Sequence, residues 1–180
     1  MNNIQTFTGK MYDFMAPTTD MVCLTDIAMA LSRMCRFGGH CEKFYSIAEH
    51  SVLVSYLTPP SLALEGLMHD APEAYCNDIV TGLKCLLDNY SVYEDRADQA
   101  IMNKFNLDFG KLHHPDVKSA DMLALAIEYR DNMKHLNPGA WDLPEIPSEC
   151  EYSISCWTPE EASAQFTNRF AELYIERVRA

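Results

Sequence analysis

His69 and Asp70 stand side by side in Leu67-Met68-His69-Asp70-Ala71, near the end of an apolar stretch with helical spacing. A polar group buried there without a partner costs about 2–7 kcal/mol. A divalent cation satisfies both side chains, because imidazole nitrogen and carboxylate oxygen suit a transition metal or Mg²⁺. The plainer alternative is an Asp capping backbone amides beside a surface His. His50, in Ser46-Ile47-Ala48-Glu49-His50-Ser51, opens the preceding predicted helix, and Asp121 lies on an otherwise apolar face in Val117-Lys118-Ser119-Ala120-Asp121. Each alone is weak, since a lone His is usually surface or core and a lone Asp is usually solvated. Together they set the order His, His-Asp, Asp on three different helices.

Other residues near this set carry usable chemistry. Glu73 follows His69 by one turn and shares its face. It can serve as general acid or base, or be a solvated helix carboxylate. Asp78, in the turn that follows, is a second carboxylate candidate or a turn former. Arg36 heads Arg36-Phe37-Gly38-Gly39-His40. Its planar fork suits phosphate, and Phe37 can pack against a sugar or base; the alternative is a surface salt bridge and a core ring. Lys84 is a weaker phosphate candidate. Glu128 and Arg130 form a salt bridge or assist a substrate pocket, and His113-His114 beside Pro115 reads as a surface turn.

The elements that position these residues read as helices. Residues 1–22 form an irregular lead-in with breakers at Gly9 and Pro17. A helix capped by Thr25 and Asp26 runs to Gly38-Gly39. A second spans about Ser46 to Leu57 and stops at Pro59-Pro60. A third, capped by Ser61, reaches Tyr75, with a bend expected at Pro72. Leu83 to Leu87 is a short helical piece. Longer helices cover about Tyr90 to Phe105 and Pro115 to Leu136. Residues 137–158 are a proline-rich surface loop, and the last helix opens at Thr158-Pro159-Glu160-Glu161. No convincing alternating strand is present, so the predicted fold is all-α, in a single domain over residues 1–180.

Composition limits the function classes. The chain has 180 residues and a formal net charge of -12, without a basic stripe. This argues against duplex nucleic acid and anionic membranes as partners. It leaves room for a small anionic substrate, because a metal ion reverses the local sign. Seven scattered cysteines without a C-x-x-C pair, and no secretory signal, predict reduced thiols in the cytoplasm.

The H…HD…D order resembles the HD superfamily of metal-dependent phosphohydrolases. Further segments carry the likeness: Phe7-Thr8-Gly9-Lys10, Asp26-Ile27-Ala28, Leu31-Ser32, Arg36-Phe37-Gly38-Gly39-His40, Phe44 to Ser51, Leu67 to Tyr75 and Val117 to Asp121. They are similar to short phage and prophage proteins of the YfdR type and, more distantly, to YfbR-type 5′-deoxynucleotidases, over nearly the whole chain. The resemblance implies a single HD-domain helical bundle. It implies His50, His69, Asp70 and Asp121 as ligands of one divalent ion (Mn, Co, Zn, Fe, Ni or Mg), Glu73 and Asp78 as catalytic carboxylates, and Arg36, Phe37 and Lys84 as substrate contacts. Pro72 departs from the small residue usual before this Glu, and Phe37 replaces the Trp of more distant relatives. The implied activity is release of phosphate from (deoxy)nucleoside 5′-monophosphates in a cytoplasm, that of the host if the chain is phage-encoded. The family also suggests a homodimer. The alternatives are a deoxynucleotide triphosphohydrolase and a non-catalytic nucleotide-sensing module. A dinuclear oxygenase or cyclic-dinucleotide phosphodiesterase needs two separated histidines between His69-Asp70 and Asp121; only adjacent His113 and His114 lie there.

Overall fold

The computed structural model describes residues 2–133 and 141–179. The fold is all-α apart from one hairpin. That hairpin corrects the irregular lead-in: β1 (Asn3–Gln5) pairs antiparallel with β2 (Met11–Asp13), Ile4 opposite Tyr12. Three-residue strands are too short to show alternation. Tyr12 is buried and stacks on Tyr75 with ring centroids 4.0 Å apart.

Helix α1 (Leu24–Arg33) follows Cys23 and has no side-chain cap. Asp26, expected as part of the cap, instead accepts hydrogen bonds from Thr8 N at 2.7 Å and Thr8 Oγ1 at 2.9 Å, tying the hairpin to the bundle. The helix ends before Gly38-Gly39, and Arg36–Gly39 form a separate 3₁₀ turn. In α2 (Ile47–Leu57), Ser46 Oγ accepts from Glu49 N at 3.1 Å, a side-chain N-cap.

The expected third helix is broken in two. After a 3₁₀ turn at Pro60–Leu62, α3 (Ala63–Met68) stops at His69, and α4 (Glu73–Cys76) starts beyond Pro72. Pro72 has no amide hydrogen to give the Met68 carbonyl. Ala71 N bonds that carbonyl instead, at 3.0 Å, which tightens the chain just where His69-Asp70 sits. Then come α5 (Thr81–Lys84), earlier than expected, α6 (Tyr90–Phe105) as expected, and a one-turn α7 (Phe109–Leu112) that the sequence did not suggest. Helix α8 (Pro115–Asn132) ends before the predicted Leu136; residues 134–140 lie outside the described residues. Helix α9 (Pro159–Arg179) has the expected start. Thr158 Oγ1 accepts from Glu161 N at 3.3 Å and the Glu161 carboxylate accepts from Thr158 N at 2.9 Å, a reciprocal cap.

Helix α2 lies at the centre, against α1, α3, α8 and α9. Its neighbours approach closely. A Cβ on Gly66 of α3 would collide with Thr58 at the end of α2. Ala120 and Ala124 of α8 pack on Leu53 and Val54 of α2. Buried Glu65 of α3 accepts a two-oxygen ion pair from Arg177 at 2.5 and 2.7 Å, which pins the end of α9. Among the described residues no helix is long and apolar enough to cross a membrane.

Candidate metal centre

The three helical segments that carry His50, His69-Asp70 and Asp121 converge. His50 Nε2 is the hub: it lies 3.3 Å from His69 Nε2, 3.3 Å from Asp70 Oδ2 and 3.4 Å from Asp121 Oδ1. His69 Nε2 is 3.1 Å from Asp70 Oδ2 and 3.9 Å from Asp121 Oδ1. Donors about 2.1 Å from one ion stand about 3.0–3.4 Å apart when adjacent, so all but the last spacing suit a shared ion. His50, His69 and Asp121 form a group that could hold a metal ion, and the Asp70 oxygen adjoins both imidazoles.

Hydrogen bonds on the far side of each ring set the donors. His50 Nδ1 meets Glu128 Oε1 at 2.5 Å, and His69 Nδ1 meets the Gly66 carbonyl at 2.8 Å. Each Nδ1 faces an acceptor and so carries the proton, which leaves both Nε2 atoms turned toward the centre. Gly66 therefore has two tasks, close packing on Thr58 and orienting His69.

The electrostatics favour positive charge at the hub. Burial and Arg36 push the His50 pKa down, but Glu128, Asp121 and Asp70 outweigh them and hold it well above the ordinary value. Burial would raise the Asp70 and Asp121 carboxyls, yet His69 and His50 pull Asp70 well below its usual range and His50 does the same for Asp121. Both carboxylates stay ionised beside a fully buried imidazole, the charge arrangement of a cation site.

Beside the cluster opens a cavity of about 550 Å³. Asp70 and Asp121 reach its floor, and Arg36, Phe37, Glu73, Asp78 and Lys84 line its walls. Every metal, catalytic or substrate candidate from the sequence thus reaches the cluster or this cavity, with some surroundings changed. Arg36 is not a surface residue: its side chain is 12% exposed, its Nε and Nη2 each lie 3.2 Å from Glu128 Oε2, and its Nη1 is 3.6 Å from Asp70. Phe37 takes a left-handed backbone at φ +57°, with its ring over the Arg36 guanidinium. Lys84 is held by Glu94 at 2.6 Å and lies 3.8 Å from Glu73 Oε1, so carboxylates already occupy it.

Glu73 is buried, and its Oε2 has no hydrogen-bond partner among the described residues. Burial, then the negative charges of Asp70 and Asp78, push its carboxyl up to about 9. Asp78 is raised as well, chiefly by burial.

The chain matches no family model. It is 41% identical over 175 residues to the uncharacterized protein YfdR of Escherichia coli (strain K12), covering 96% of each. The chain belongs to the YfdR family. A shorter likeness, 33% identity over 109 residues, links it to the uncharacterized protein RCAP_rcc00048 of Rhodobacter capsulatus, over 55% of this chain and 56% of that one.

Within this YfdR-family site the sequence reading left Glu128 undecided, and the structure makes it central. Its Oε1 also accepts from Tyr45 OH at 3.0 Å, so one buried carboxylate holds His50, Arg36 and Tyr45. The signal was present: Glu128 follows Asp121 by seven residues, two helical turns on one face. Glu128 does not pair with Arg130, whose guanidinium binds Asp131 at 2.6 and 2.9 Å. Lys118, one turn before Asp121, meets Asp121 Oδ2 at 2.8 Å and lines the cavity. Trp141, also on the cavity wall, stacks 6.0 Å from Phe37; no spacing rule could have found it. His113 and His114 lie outside the cluster, and His114 caps α8 by accepting from Asp116 N.

Proposed function

We propose that the chain is a metal-dependent HD-type phosphohydrolase that releases phosphate from (deoxy)nucleoside 5′-monophosphates in the cytoplasm. The observation that carries this reading is the joining of His50, His69 and Asp121, with Asp70 beside both imidazoles, to a cavity whose walls hold Arg36, Lys118 and Glu73, whose Oε2 has no hydrogen-bond partner among the described residues. His50, His69, Asp70 and Asp121 would hold a divalent ion, which when bound would supply Lewis acidity for a phosphoryl group and a more acidic water.

The chain's own groups do the rest. Arg36, held by Glu128, keeps its remaining N–H groups for a phosphate near Asp70. Lys118 adds a flexible cation at the rim. Glu73, kept neutral by burial and neighbouring carboxylates, has a proton at hand for the leaving oxygen. Phe37 and Trp141 offer flat apolar surface for a sugar or base. The seven free thiols suit a reducing compartment.

The test is a screen of mono-, di- and triphosphate nucleotides with Mn²⁺, Co²⁺, Mg²⁺ and Zn²⁺, with phosphate, pyrophosphate and triphosphate resolved as products. The expected result is inorganic phosphate from monophosphates. Triphosphate from dNTPs would move the assignment to a triphosphohydrolase. Metal binding without hydrolysis of any nucleotide would overturn the enzyme reading.

A further inference from the structure

Cys35 and Cys41 stand at the two ends of the turn that carries Arg36 and Phe37, and their sulfurs are 3.5 Å apart. A disulfide has S–S near 2.05 Å, so closing the bond asks the sulfurs to approach by about 1.5 Å. The surrounding backbone is anchored on both sides. Cys35 bridges Ser46, and Arg36 N donates to Tyr45 O at 2.9 Å. Beyond Cys41, Glu42 N donates to Asn132 O at 2.9 Å and Lys43 N to Asn132 Oδ1 at 2.8 Å. With both ends of the turn anchored, closing the bond falls to motion of the two cysteine side chains and of the short turn between them. Between them Phe37, Gly38 and Gly39 have φ of +57°, +59° and +82°, an unusual run of left-handed backbone. Both cysteines are partly exposed, beside exposed Gly39 and His40, so a small oxidant can reach them.

We propose that Cys35 and Cys41 form a modification site, oxidised by a low-molecular-weight disulfide to an intramolecular disulfide that closes the Arg36–Phe37 turn. One cysteine thiolate attacks the small disulfide, breaks its S–S bond, forms a mixed disulfide and expels one small thiolate. The other cysteine thiolate attacks the protein sulfur of that mixed disulfide and expels the second. Two protein S–H bonds are lost and one S–S bond forms. Two electrons pass to the small disulfide, and the two protons end on the released thiols. Burial and the contact with Cys35 push the Cys41 thiol up to about 11, so exchange at neutral pH is slow and is followed over hours. The linkage makes the mount of Arg36 and Phe37 a covalent ring, whatever reaction the cavity performs.

The experiment incubates the full chain with glutathione disulfide, blocks remaining thiols with iodoacetamide, and maps tryptic peptides by mass. Trypsin cuts after Arg33, Arg36 and Lys43, which places the two cysteines in separate peptides, 34–36 and 37–43. The expected product joins these two peptides, lowers the intact mass by about 2 Da relative to the reduced chain at that site, and is reversed by dithiothreitol. Exposed Cys85 reports that the oxidant was active. Cys41→Ser and Cys35→Ser should each abolish the linked pair; should either fail to fold, the wild-type map decides alone. Peptides 34–36 and 37–43 recovered unlinked while Cys85 is modified, linked to other cysteines, or carrying only glutathione would each overturn the proposal.

Discussion

Glu128→Gln removes one negative charge from beneath the cluster while nearly keeping the side chain's volume. Burial alone would raise the Glu128 carboxyl, but Arg36 and His50 hold it below its usual range, so the native group is ionised. Its two oxygens face only donors: His50 Nδ1 and Tyr45 OH on one, the Arg36 guanidinium on the other. Glutamine has one acceptor oxygen, so its amide N–H₂ must face either His50 or Arg36, donor against donor. With the N–H₂ toward His50, the imidazole loses the partner that orients it for metal, typically 10–100-fold in metal affinity, or about 1.4–2.7 kcal/mol; with the N–H₂ toward Arg36, the loss falls on the guanidinium and on nucleotide binding instead. Alanine is the poorer probe, because stripping one partner from a buried ion pair costs about 3–5 kcal/mol and threatens the fold. The assay is calorimetric titration of Mn²⁺ or Co²⁺ into wild type and Glu128→Gln, with circular dichroism to confirm equal helicity. Metal affinity and nucleotide affinity both unchanged in a folded Glu128→Gln chain would refute the assignment of Glu128 as the residue that positions His50 and Arg36.

Four further outcomes are expected. Saturating Mn²⁺ at about 100 times its Kd should stabilise the chain by about 2.7 kcal/mol in thermal unfolding, and Asp70→Asn should lose that gain; an equal gain in the variant would remove Asp70 from the ligand set. Glu73→Gln should keep the ion but slow nucleotide turnover by about 10²–10⁴-fold. Without metal, Glu73 moves from 4.5 unfolded to about 9 folded, so it favours folding only while protonated, and its contribution falls away as pH rises from about 4.5 toward 9. The melting temperature of Glu73→Gln should therefore exceed that of wild type at about pH 8 and match it near pH 4; a constant difference across that range would contradict the burial argument. Arg36→Lys should weaken nucleotide binding but barely affect a neutral nucleoside, since ammonium keeps the charge without the bidentate fork; equal affinity for nucleotide would remove Arg36 from the phosphate site.

Helical class and much of the element order are legible in the chain's own spacing, because apolar periodicity and end signals are local. Tyr90 to Phe105 and the Thr158-Pro159 start needed only that information. His69-Asp70 and Asp121 also stood out as polar residues on apolar helical faces, while His50 joined them only through the order His, His-Asp, Asp and the family resemblance. Packing settles the rest. Pro72 predicted a bend, and only the structure shows its form: with no amide hydrogen at Pro72, the Met68 carbonyl turns to Ala71 N and the helix breaks at His69-Asp70. Asp26 looked like a cap and became a clasp for Thr8, since a carboxylate goes to whichever donors packing brings near. The triple use of Glu128 joins residues 36, 45, 50 and 128, and the approach of Trp141 to Phe37 spans about a hundred positions of chain. Hydrophobic periodicity says which face of a helix turns inward; only the docking of one inward face on another says which polar groups meet there.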